Sequence, residues 1–261
     1  MSAPRTPAQL FGLTGKRAAI MGGTGVLGSQ FARCLAAAGA EVIVLGRSCE
    51  RGATVAAQIE EQGGRARAVA ADVTDREAIE QAAADLEAAG GIDILINAAG
   101  ANWGGSFSDL SESLWAHLLE VNLSAVFRVC QAFIPQMSNR DDGASIINIS
   151  SSSSGPPLSR VAGYAAAKAG VNNLTQYLAG ELAAAGIRVN AVVPGFFPAE
   201  QNKALLTPER LAAIVNHTPM RRLGRAEELD GVILWLASPA ASGFVTGALV
   251  HVDGGFSAMS I

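Results

Sequence analysis

Short, uniformly apolar runs alternate with longer alanine-rich stretches along this chain. Apolar runs of about four to eight residues are typical of strands buried on both faces, whereas longer amphipathic stretches are typical of helices. The pattern predicts strands at residues 17–21, 41–45, 66–70, 93–97, 144–149, 187–193 and 248–252. It predicts helices at residues 26–38, 49–62, 75–89, 111–137 (broken near Pro135), 164–185 and 226–237.

This alternation predicts βαβ units, and therefore a parallel sheet with helices on both faces. Right-handed crossovers make it a doubly wound α/β sheet of the Rossmann type, mostly parallel and seven-stranded. No linker-like segment divides the chain, so we expect one domain over residues 1–261. Ligands of such sheets bind beyond the carboxyl ends of the strands, which is where we look for chemistry.

Composition narrows the class of protein. With 49% hydrophobic residues, and with 19 Lys and Arg against 23 Asp and Glu, the chain favours a large core over disorder. The net charge of −4, with no basic run, argues against nucleic-acid binding. Cys34, Cys49 and Cys130 are scattered and have no metal-ligand spacing, and no secretory leader pattern opens the chain. We therefore expect a reduced cytoplasmic protein without a metal.

One stretch resembles a membrane span. Residues 232–250 carry no charged side chain and approach the ~20 residues that cross a bilayer. Ser-Pro, Ser-Gly and Thr-Gly pairs interrupt this stretch, so we expect a helix end, a turn and a buried strand, with no membrane association.

A glycine-rich loop follows the first strand and opens a helix. Gly23, Gly25 and Gly28 match the G-x-G-x-x-G spacing. Glycine permits the tight turn and close backbone approach, and the helix N-terminus attracts a pyrophosphate. The predicted contacts of a dinucleotide are Gly22, Gly23, Gly25, Val26, Leu27 and Gly28.

The end of the second strand bears on the choice of nicotinamide cofactor. An acidic residue there would bind the adenosine ribose, but this chain has Gly46 followed by Arg47 and Ser48. Arg47 offers a multiply donating cation for a 2′-phosphate, so we expect NADP(H) to be preferred over NAD(H). The alternative is that Arg47 is a solvated surface charge.

Two further strand ends carry candidate contacts. Asp72 and Val73 follow the third strand, where the carboxylate can accept from an adenine amino group. Small residues after the fourth strand let a cofactor lie close, and the predicted contacts there are Asn97, Ala98, Ala99 and Gly100.

Tyr164 and Lys168 stand at i and i+4 of a predicted helix, and therefore share one face. A free tyrosine has a pKa near ~10, and a neighbouring cation lowers that pKa toward the working range of an acid/base catalyst. Ser151 lies thirteen residues before Tyr164, just after the fifth strand.

Taken together, these features resemble the short-chain dehydrogenase/reductase family over nearly the whole chain. The landmarks are Leu13-Thr14-Gly15-Lys16, the glycine loop, Asp72-Val73, Asn97-Ala98-Ala99-Gly100, Val121-Asn122, Ser151/Tyr164/Lys168, Pro194-Gly195 and Val252-Asp253-Gly254-Gly255.

The resemblance implies a role for each candidate. Tyr164 would be the general acid/base, and Lys168 would lower its pKa and hold the nicotinamide ribose. Ser151 would orient the substrate carbonyl, with Ser150 as the alternative and Ser152 to Ser154 as loop. Asn122 would hold a backbone distortion and a water connecting Lys168 to solvent. Further cofactor contacts would be Pro194, Gly195 and Phe197.

The resemblance also implies a homotetramer with long helices and the last strand at its interfaces. The small-residue face from Ala165 to Gly170 fits such an interface and fits core packing equally well.

The chain departs from the compact members of the family at three places. Met21 replaces the usual threonine and Val26 replaces the middle glycine of the loop, so we expect pyrophosphate binding with a shifted loop. Ala199 stands where a threonine usually contacts the nicotinamide carboxamide, which removes one hydroxyl contact.

The loop from Phe196 to Leu206, with His217 to Met220 and the glycine-rich ending, resembles a D-mannonate oxidoreductase or fructuronate reductase-like branch. This resemblance implies a sugar acid or polyol as substrate. Candidate substrate contacts on the loops are Asn102, Trp103, Arg160, Phe196, Gln201, Asn202 and His217. Arg160 could clamp a carboxylate, but it could also pair with a surface acid, Trp103 could pack a loop, and His217 could cap a helix.

The leading hypothesis is therefore an NADP(H)-dependent oxidoreductase that transfers a hydride between nicotinamide and a sugar acid or sugar. One rival is a reductase of 3-oxoacyl thioesters or another small ketone, against which the polar segment from Glu200 to Lys203 argues. The other is a non-catalytic dinucleotide-binding protein, which would not need the Ser151/Tyr164/Lys168/Asn122 set.

Overall fold

The computed structural model of the protein describes residues 4–138, 140–198 and 207–259. Its strands form one parallel sheet in the order β3-β2-β1-β4-β5-β6-β7. The chain starts near the middle and winds outward in both directions, so the predicted doubly wound fold is confirmed. The strand bounds are β1 (Arg17–Met21), β2 (Glu41–Gly46), β3 (Arg65–Ala70), β4 (Ile94–Asn97), β5 (Ala144–Ile149), β6 (Ile187–Pro194) and β7 (Leu249–Val252).

Helices connect successive strands. The α-helix bounds are α1 (Pro7–Phe11), α2 (Val26–Ala37), α3 (Cys49–Glu61), α4 (Arg76–Ala88), α5 (Glu112–Leu119), α6 (Ala125–Met137), α7 (Ala162–Leu182), α8 (Pro208–His217), α9 (Asp230–Ala237) and α10 (Pro239–Ser242). The short helices α1 and α10 and the helix α8 were not predicted from the sequence. A 3₁₀ turn at Ala226–Leu229 precedes α9, where a single helix was expected.

The sheet buries an apolar cluster on each face. On one face, α4, α6 and α7 contribute side chains such as Ile79, Phe133 and Val171. On the other face, α2, α3 and α9 contribute side chains such as Phe31 and Ile233. The uniformly buried central strands explain why their sequences are continuous apolar runs rather than alternating ones.

The predicted break near Pro135 is wrong. Helix α6 continues through Pro135 to Met137, because the proline lies in its last turn, where the missing N–H costs only one hydrogen bond. The irregularity lies earlier, at Glu120–Ser124, where a π-helical turn joins α5 to α6. Such a turn inserts an extra residue into the helix, and this one contains Asn122.

The uncharged stretch at residues 232–250 comprises the end of α9, the short helix α10 and the start of β7. The helix end and the strand were predicted, but α10 was not, and β7 is only partly buried. Among the described residues, the continuous helical stretch Glu112–Met137 is long and apolar enough to cross a bilayer, with a mean hydropathy of 1.3. Its apolar side chains Val126, Val129 and Phe133 are buried against the sheet. Packing in the core therefore accounts for its composition.

A chain of buried hydrogen bonds ties α7 to the middle of the sheet. The Nδ2 group of Asn97 on β4 donates to Asn148 Oδ1 on β5 at 2.8 Å. The Nδ2 group of Asn148 donates to Thr175 Oγ1 on α7 at 2.9 Å, and Thr175 Oγ1 donates to the carbonyl of Val171 at 2.8 Å. Buried polar groups cost free energy when they lose a partner, so this chain fixes where α7 sits.

We expect Thr175→Val to lower the free energy of unfolding by about 1–3 kcal/mol, because it leaves the buried Asn148 amide without its acceptor. The matched control is Thr54→Val on α3, whose hydroxyl also donates to the carbonyl four residues earlier but is exposed. The control is expected to change stability by less than about 0.5 kcal/mol. Urea denaturation of both variants checks this, and equal losses would show that the Asn148 contact contributes nothing.

Candidate active site

A cleft of about 720 Å³ runs along the carboxyl ends of the strands. It lies across the point where the chain leaves β1 for β2 on one side and β4 on the other. This is where doubly wound sheets bind ligands. Most of the predicted cofactor residues line it, namely Gly22, Gly25, Val26, Leu27, Gly28, Arg47, Asp72, Val73, Ala98, Ala99, Gly100, Tyr164, Lys168, Pro194, Gly195 and Phe197.

The glycine loop is shaped so that side chains cannot fit at two positions. Gly22 has φ +84°, and a Cβ there would lie 2.5 Å from the main-chain nitrogen of Ala99. A Cβ on Gly28 would lie 2.2 Å from the carbonyl oxygen of Gly22. The replacement of the usual glycine by Val26 is tolerated because the Val26 side chain is exposed.

The start of α2 provides main-chain donors for an anion. Helices α3 and α4 are capped by Ser48 and Asp75, whose side chains accept from main-chain N–H groups. The residue before α2 is Gly25, which has no side chain to cap the helix, and this end of α2 lines the cleft. The first N–H groups of a helix have no partner within the helix and bind phosphate readily. The loop therefore fits a dinucleotide pyrophosphate.

Two arginines stand at the β2 end of the cleft. Arg47 is exposed, and Arg51 donates from Nη2 to the carbonyl of Thr24 at 3.1 Å. Opposite them, Asp72 Oδ1 accepts from the main chain and the hydroxyl of Thr74 at 2.9 and 2.8 Å. Burial raises the pKa of Asp72, but these hydrogen bonds and the charge of Arg47 together lower it. This part of the cleft is cationic, with one carboxylate that stays ionised.

Ser151 and Tyr164 meet at the other end of the cleft. Ser151 follows β5, and Tyr164 lies in the first turn of α7. A hydrogen bond with Ser151 lowers the pKa of Tyr164, but burial raises it by more. The phenol is therefore protonated at neutral pH and can donate a proton.

Lys168 lies one turn after Tyr164 and is only 3% exposed. Its Nζ donates to the main-chain carbonyl of Ile149 at 2.8 Å and lies 5.7 Å from the centre of the Tyr164 ring. Burial lowers the pKa of Lys168 to about 8. The predicted shared face of the helix is confirmed, but the expected lowering of the Tyr164 pKa is wrong for this cleft, because burial of the phenol outweighs its neighbours.

The serines of this segment differ in what their hydroxyls contact. Ser150 Oγ donates to the main-chain carbonyl of Lys168 at 3.4 Å, so it serves to hold α7. Ser151 Oγ accepts from the main chain and the hydroxyl of Ser153, at 3.2 and 3.0 Å. Ser154 accepts from Asn172 Nδ2 at 2.8 Å. The Ser152–Ser154 segment is a 3₁₀ turn that fixes Ser151 rather than an open loop.

Asn122 connects the π-helical turn to the cleft wall. Its Nδ2 donates to the carbonyls of Ala101 and Leu118, both at 2.8 Å, and its Oδ1 accepts from Ala101 N at 3.2 Å. The two bonds between Asn122 and Ala101 hold the main chain after Gly100, beside Lys168. The extra residue of the π-helical turn is what turns the Asn122 side chain toward this segment.

Three predicted cofactor contacts do not line the cleft. The Asn97 side chain lies in the core, where it bonds to Asn148, because strand alternation points it away from the loop. Gly23 packs beneath the loop, where a Cβ would lie 3.0 Å from Val44 Cγ1. Ser48 accepts from the main-chain nitrogen of Arg51 and caps α3. The prediction that these three residues line the cofactor cleft is therefore corrected.

Three predicted substrate contacts also lie off the cleft, whereas Asn102 and Phe196 line it. The ring of Trp103 packs over Gly105. Arg160 has φ +71°, and its carbonyl accepts from Gly105 N at 3.0 Å, which directs this loop residue outward. His217 packs edge-on against Phe256, with ring centres 4.5 Å apart. Gln201, Asn202 and Ala199 lie outside the described residues.

Four ionisable residues of the cleft wall were not predicted from the sequence: Arg51, His117, Glu120 and Arg210. Arg51 could have been found as the residue four positions after Arg47, and His117 as the residue four positions before Val121. Arg210 lies in α8, whose start at Thr207-Pro208-Glu209 is a recognisable helix signal, but nothing local shows that this helix reaches the cleft. Within the described ranges, no three His, Cys, Asp or Glu side chains cluster as metal ligands would.

Comparison with known proteins agrees with this geometry. A family model described as enoyl-(acyl carrier protein) reductase matches residues 24–257. The chain is 43% identical to the uncharacterized oxidoreductase UxuB of Bacillus subtilis (strain 168), over 95% of this chain and 97% of that protein.

Two solved structures share the fold throughout. Gluconate 5-dehydrogenase from Burkholderia cenocepacia J2315, in complex with NADP and tartrate, has a TM-score of 0.93 and 35% identity over 98% of this chain and 100% of that one. A protein from Haemophilus influenza assigned as a D-mannonate oxidoreductase, with bound NAD, has a TM-score of 0.90 and 36% identity over 95% of this chain and 97% of that one. Both hold a nicotinamide dinucleotide.

The lowered pKa of Lys168 predicts a pH-dependent stability. Between pH of about 8 and 10.5 the unfolded chain holds the lysine proton and the folded chain does not, so the unfolding free energy rises with pH across this range. Below a pH of about 8, Lys168 is protonated in both the folded and the unfolded chain, so the free-energy cost of burying its charge does not change with pH.

The pH dependence is measured by denaturing two variants, Tyr164→Phe and Tyr164→Phe/Lys168→Met. Both variants lack the Tyr164 phenol, so its titration does not enter the comparison. The stability of the first variant relative to the second is expected to increase from pH 8 to 10.5. A difference that stays constant over that range would mean that the ammonium is not desolvated.

Proposed function

The chain belongs to the short-chain dehydrogenase/reductase family of NAD(P)-dependent enzymes that act on CH–OH groups, and on this premise we propose that it interconverts a hydroxyl and a keto group of a sugar acid or sugar. The observation that carries the proposal is the meeting of Ser151, Tyr164 and Lys168 in one cleft beside a dinucleotide-shaped loop.

The residues divide the proton chemistry among them. Tyr164 keeps its proton at neutral pH and donates it to the carbonyl oxygen as that oxygen gains negative charge. Ser151 donates a hydrogen bond to the same oxygen and so holds it in place. The reducing equivalent is a hydride from the nicotinamide cofactor. In the reverse direction the tyrosine receives the proton of the hydroxyl.

Lys168 and Asn122 support this exchange. The pKa of Lys168, about 8, lets its buried ammonium give up a proton at little cost near neutral pH. We assign Lys168 to resupply Tyr164 and to hold the nicotinamide ribose. Asn122 keeps the Ala101 main chain against this group, where a water can connect the ammonium to solvent.

A polar substrate suits the lining of the cleft. Asn102, His117 and Arg210 lie in the wall together with Ser151 and Tyr164. Amides, imidazoles and guanidinium groups bind hydroxyls and carboxylates, whereas an acyl chain would need an apolar wall. Relatives named as gluconate 5-dehydrogenase and galactitol 2-dehydrogenase support a sugar acid or polyol.

We propose that NADP(H) is preferred over NAD(H). Arg47 and Arg51 lie together at the β2 end of the cleft, and Gly46 places no carboxylate there to repel a 2′-phosphate. The bound NADP of the Burkholderia enzyme supports this choice, and the bound NAD of the Haemophilus protein is the alternative that the kinetics must exclude.

A cytoplasmic homotetramer is also part of the proposal. Trp115, Phe127 and Tyr177 are exposed on α5, α6 and α7, the helices that the resemblance places at interfaces. Among the small residues of α7, Ala167 is buried and Gly170 packs against Leu123 within the chain, whereas Ala166 and Ala169 are exposed.

We expect Tyr164→Phe to lower kcat by at least about 1000-fold, since general acid catalysis contributes roughly 100- to 10000-fold, while the Kd for NADPH stays within about threefold. Initial rates with keto-uronates and ketoses, and fluorescence titration with NADPH, check this. Full activity in Tyr164→Phe would remove the catalytic assignment, and turnover only of 3-oxoacyl thioesters by the wild type would replace the substrate class.

Arg47→Ala is expected to raise the KM for NADPH by roughly 10- to 100-fold and to leave that for NADH nearly unchanged, because one charged hydrogen-bond partner of the 2′-phosphate is lost. Arg65→Ala, an exposed arginine on β3 away from the cleft, serves as the control. A wild-type enzyme with a higher kcat/KM for NADH than for NADPH would contradict the preference.

A further inference from the structure

Arg210 places a positive charge in the substrate end of the cleft. It belongs to the first turn of α8 and lies in the same cleft wall as Tyr164 and Ser151. In the described part of the chain, its side-chain hydrogen bonds go to Ser159 alone, from Nη1 to Oγ at 3.3 Å and from Nη2 to the carbonyl at 2.8 Å. A guanidinium has five N–H donors, so these two bonds leave donors for a further acceptor.

The contacts with Ser159 orient the guanidinium. Ser159 lies in the loop that follows the 3₁₀ turn beside Ser151, and its neighbour Leu158 lines the cleft. On its other side the loop is held by the Arg160 carbonyl, which accepts from Gly105 N. The loop is therefore held at Ser159 and at Arg160, and the bonds to Ser159 anchor Arg210 in the cleft wall. Arg160 itself does not line the cleft.

The neighbouring charges favour an anion there. The acidic residues of the cleft wall are Asp72, at the β2 end, and Glu120. Glu120 forms an ion pair with Arg128. Its charge is therefore compensated from behind the wall. His117, three residues earlier in α5, adds a further hydrogen-bonding group to the cleft wall.

We propose that Arg210 binds the carboxylate of the substrate and so selects sugar acids over the corresponding neutral polyols. The inference rests on the proposed function, since it assigns the recognition of the acid to one side chain of that site. The planar guanidinium can accept a carboxylate in a paired arrangement, which a hydroxymethyl group cannot reproduce. Arg210 thus has the carboxylate-binding role that was considered for Arg160 from the sequence.

The test compares matched substrates that differ only at the carboxylate, D-gluconate with D-glucitol and D-mannonate with D-mannitol, in oxidation with NADP⁺. Arg210→Gln is expected to raise KM for the acids by roughly 10- to 100-fold with kcat within about threefold, and to leave KM for the polyols unchanged. Arg210→Lys, which keeps the charge but loses the planar fork, should fall between the wild type and Arg210→Gln.

Two controls separate recognition from loop anchoring. Ser159→Ala removes the longer of the two bonds to Arg210 and keeps the 2.8 Å bond to the Ser159 carbonyl, which still orients the guanidinium. Arg160→Gln changes the arginine that lies off the cleft. Both are expected to leave the acid-to-polyol ratio of kcat/KM unchanged. Equal losses on acids and polyols in Arg210→Gln, or a selective loss in Arg160→Gln, would overturn the inference for Arg210 while the proposed function stands.

Turnover by the wild-type enzyme separates the proposed function from the role proposed for Arg210. If it oxidises the acids in preference to the polyols and Arg210→Gln abolishes that preference, both hold. If it turns over neither the acids nor the polyols in either direction, the proposed function is wrong, and the role of Arg210 falls with it.

Discussion

The burial of one ammonium group constrains the arrangement of the whole site. Lys168 is almost completely removed from solvent, and a buried cation needs oxygen partners to offset its lost hydration. The main-chain carbonyl of Ile149, at the end of β5, provides one such partner. This contact ties α7 to the end of the strand that leads into Ser151, so the tyrosine one turn before the lysine comes to face that serine. The chain of hydrogen bonds through Asn148 and Thr175 fixes the same helix further along.

The cleft is cationic although the chain as a whole carries a net charge of −4. Its positive groups are spread along its length: the uncapped start of α2 near the middle, Arg47 and Arg51 at the β2 end, and Arg210 at the substrate end. Lys168 lies in the same cleft, and burial lowers its pKa to about 8, close to neutral pH. An extended ligand with phosphates in its middle and at one end, lying against an acidic substrate at the other end, complements this distribution.

The fold and the local chemistry were predictable where the information is local. Apolar runs gave the strands of the sheet, and the i, i+4 spacing placed Tyr164 and Lys168 on one helix face. Other features depend on tertiary contacts. Asn97 faces the core, where it bonds to Asn148. Helix α8 has a recognisable start at Thr207-Pro208-Glu209, but only the packed structure shows that Arg210 in its first turn reaches the cleft. The spacing of the Tyr164–Lys168 pair also shows proximity but not burial, and burial decides the direction of both pKa shifts.

The proposed chemistry depends on a half-buried Tyr164 phenol that stays protonated in the cleft wall, where it would face a bound nicotinamide. Titration of tyrosinate absorbance tests it directly, because the chain has two tyrosines and Tyr164→Phe identifies the contribution of Tyr164. Without a cofactor, Tyr164 is expected to ionise above its ordinary pKa because it is desolvated, and Tyr177 because it lies beside Glu181. NADP⁺, whose nicotinamide ring is positively charged, is expected to lower the pKa of Tyr164 and not that of Tyr177. A Tyr164 pKa at the value of a free tyrosine, unchanged by NADP⁺, would contradict the account.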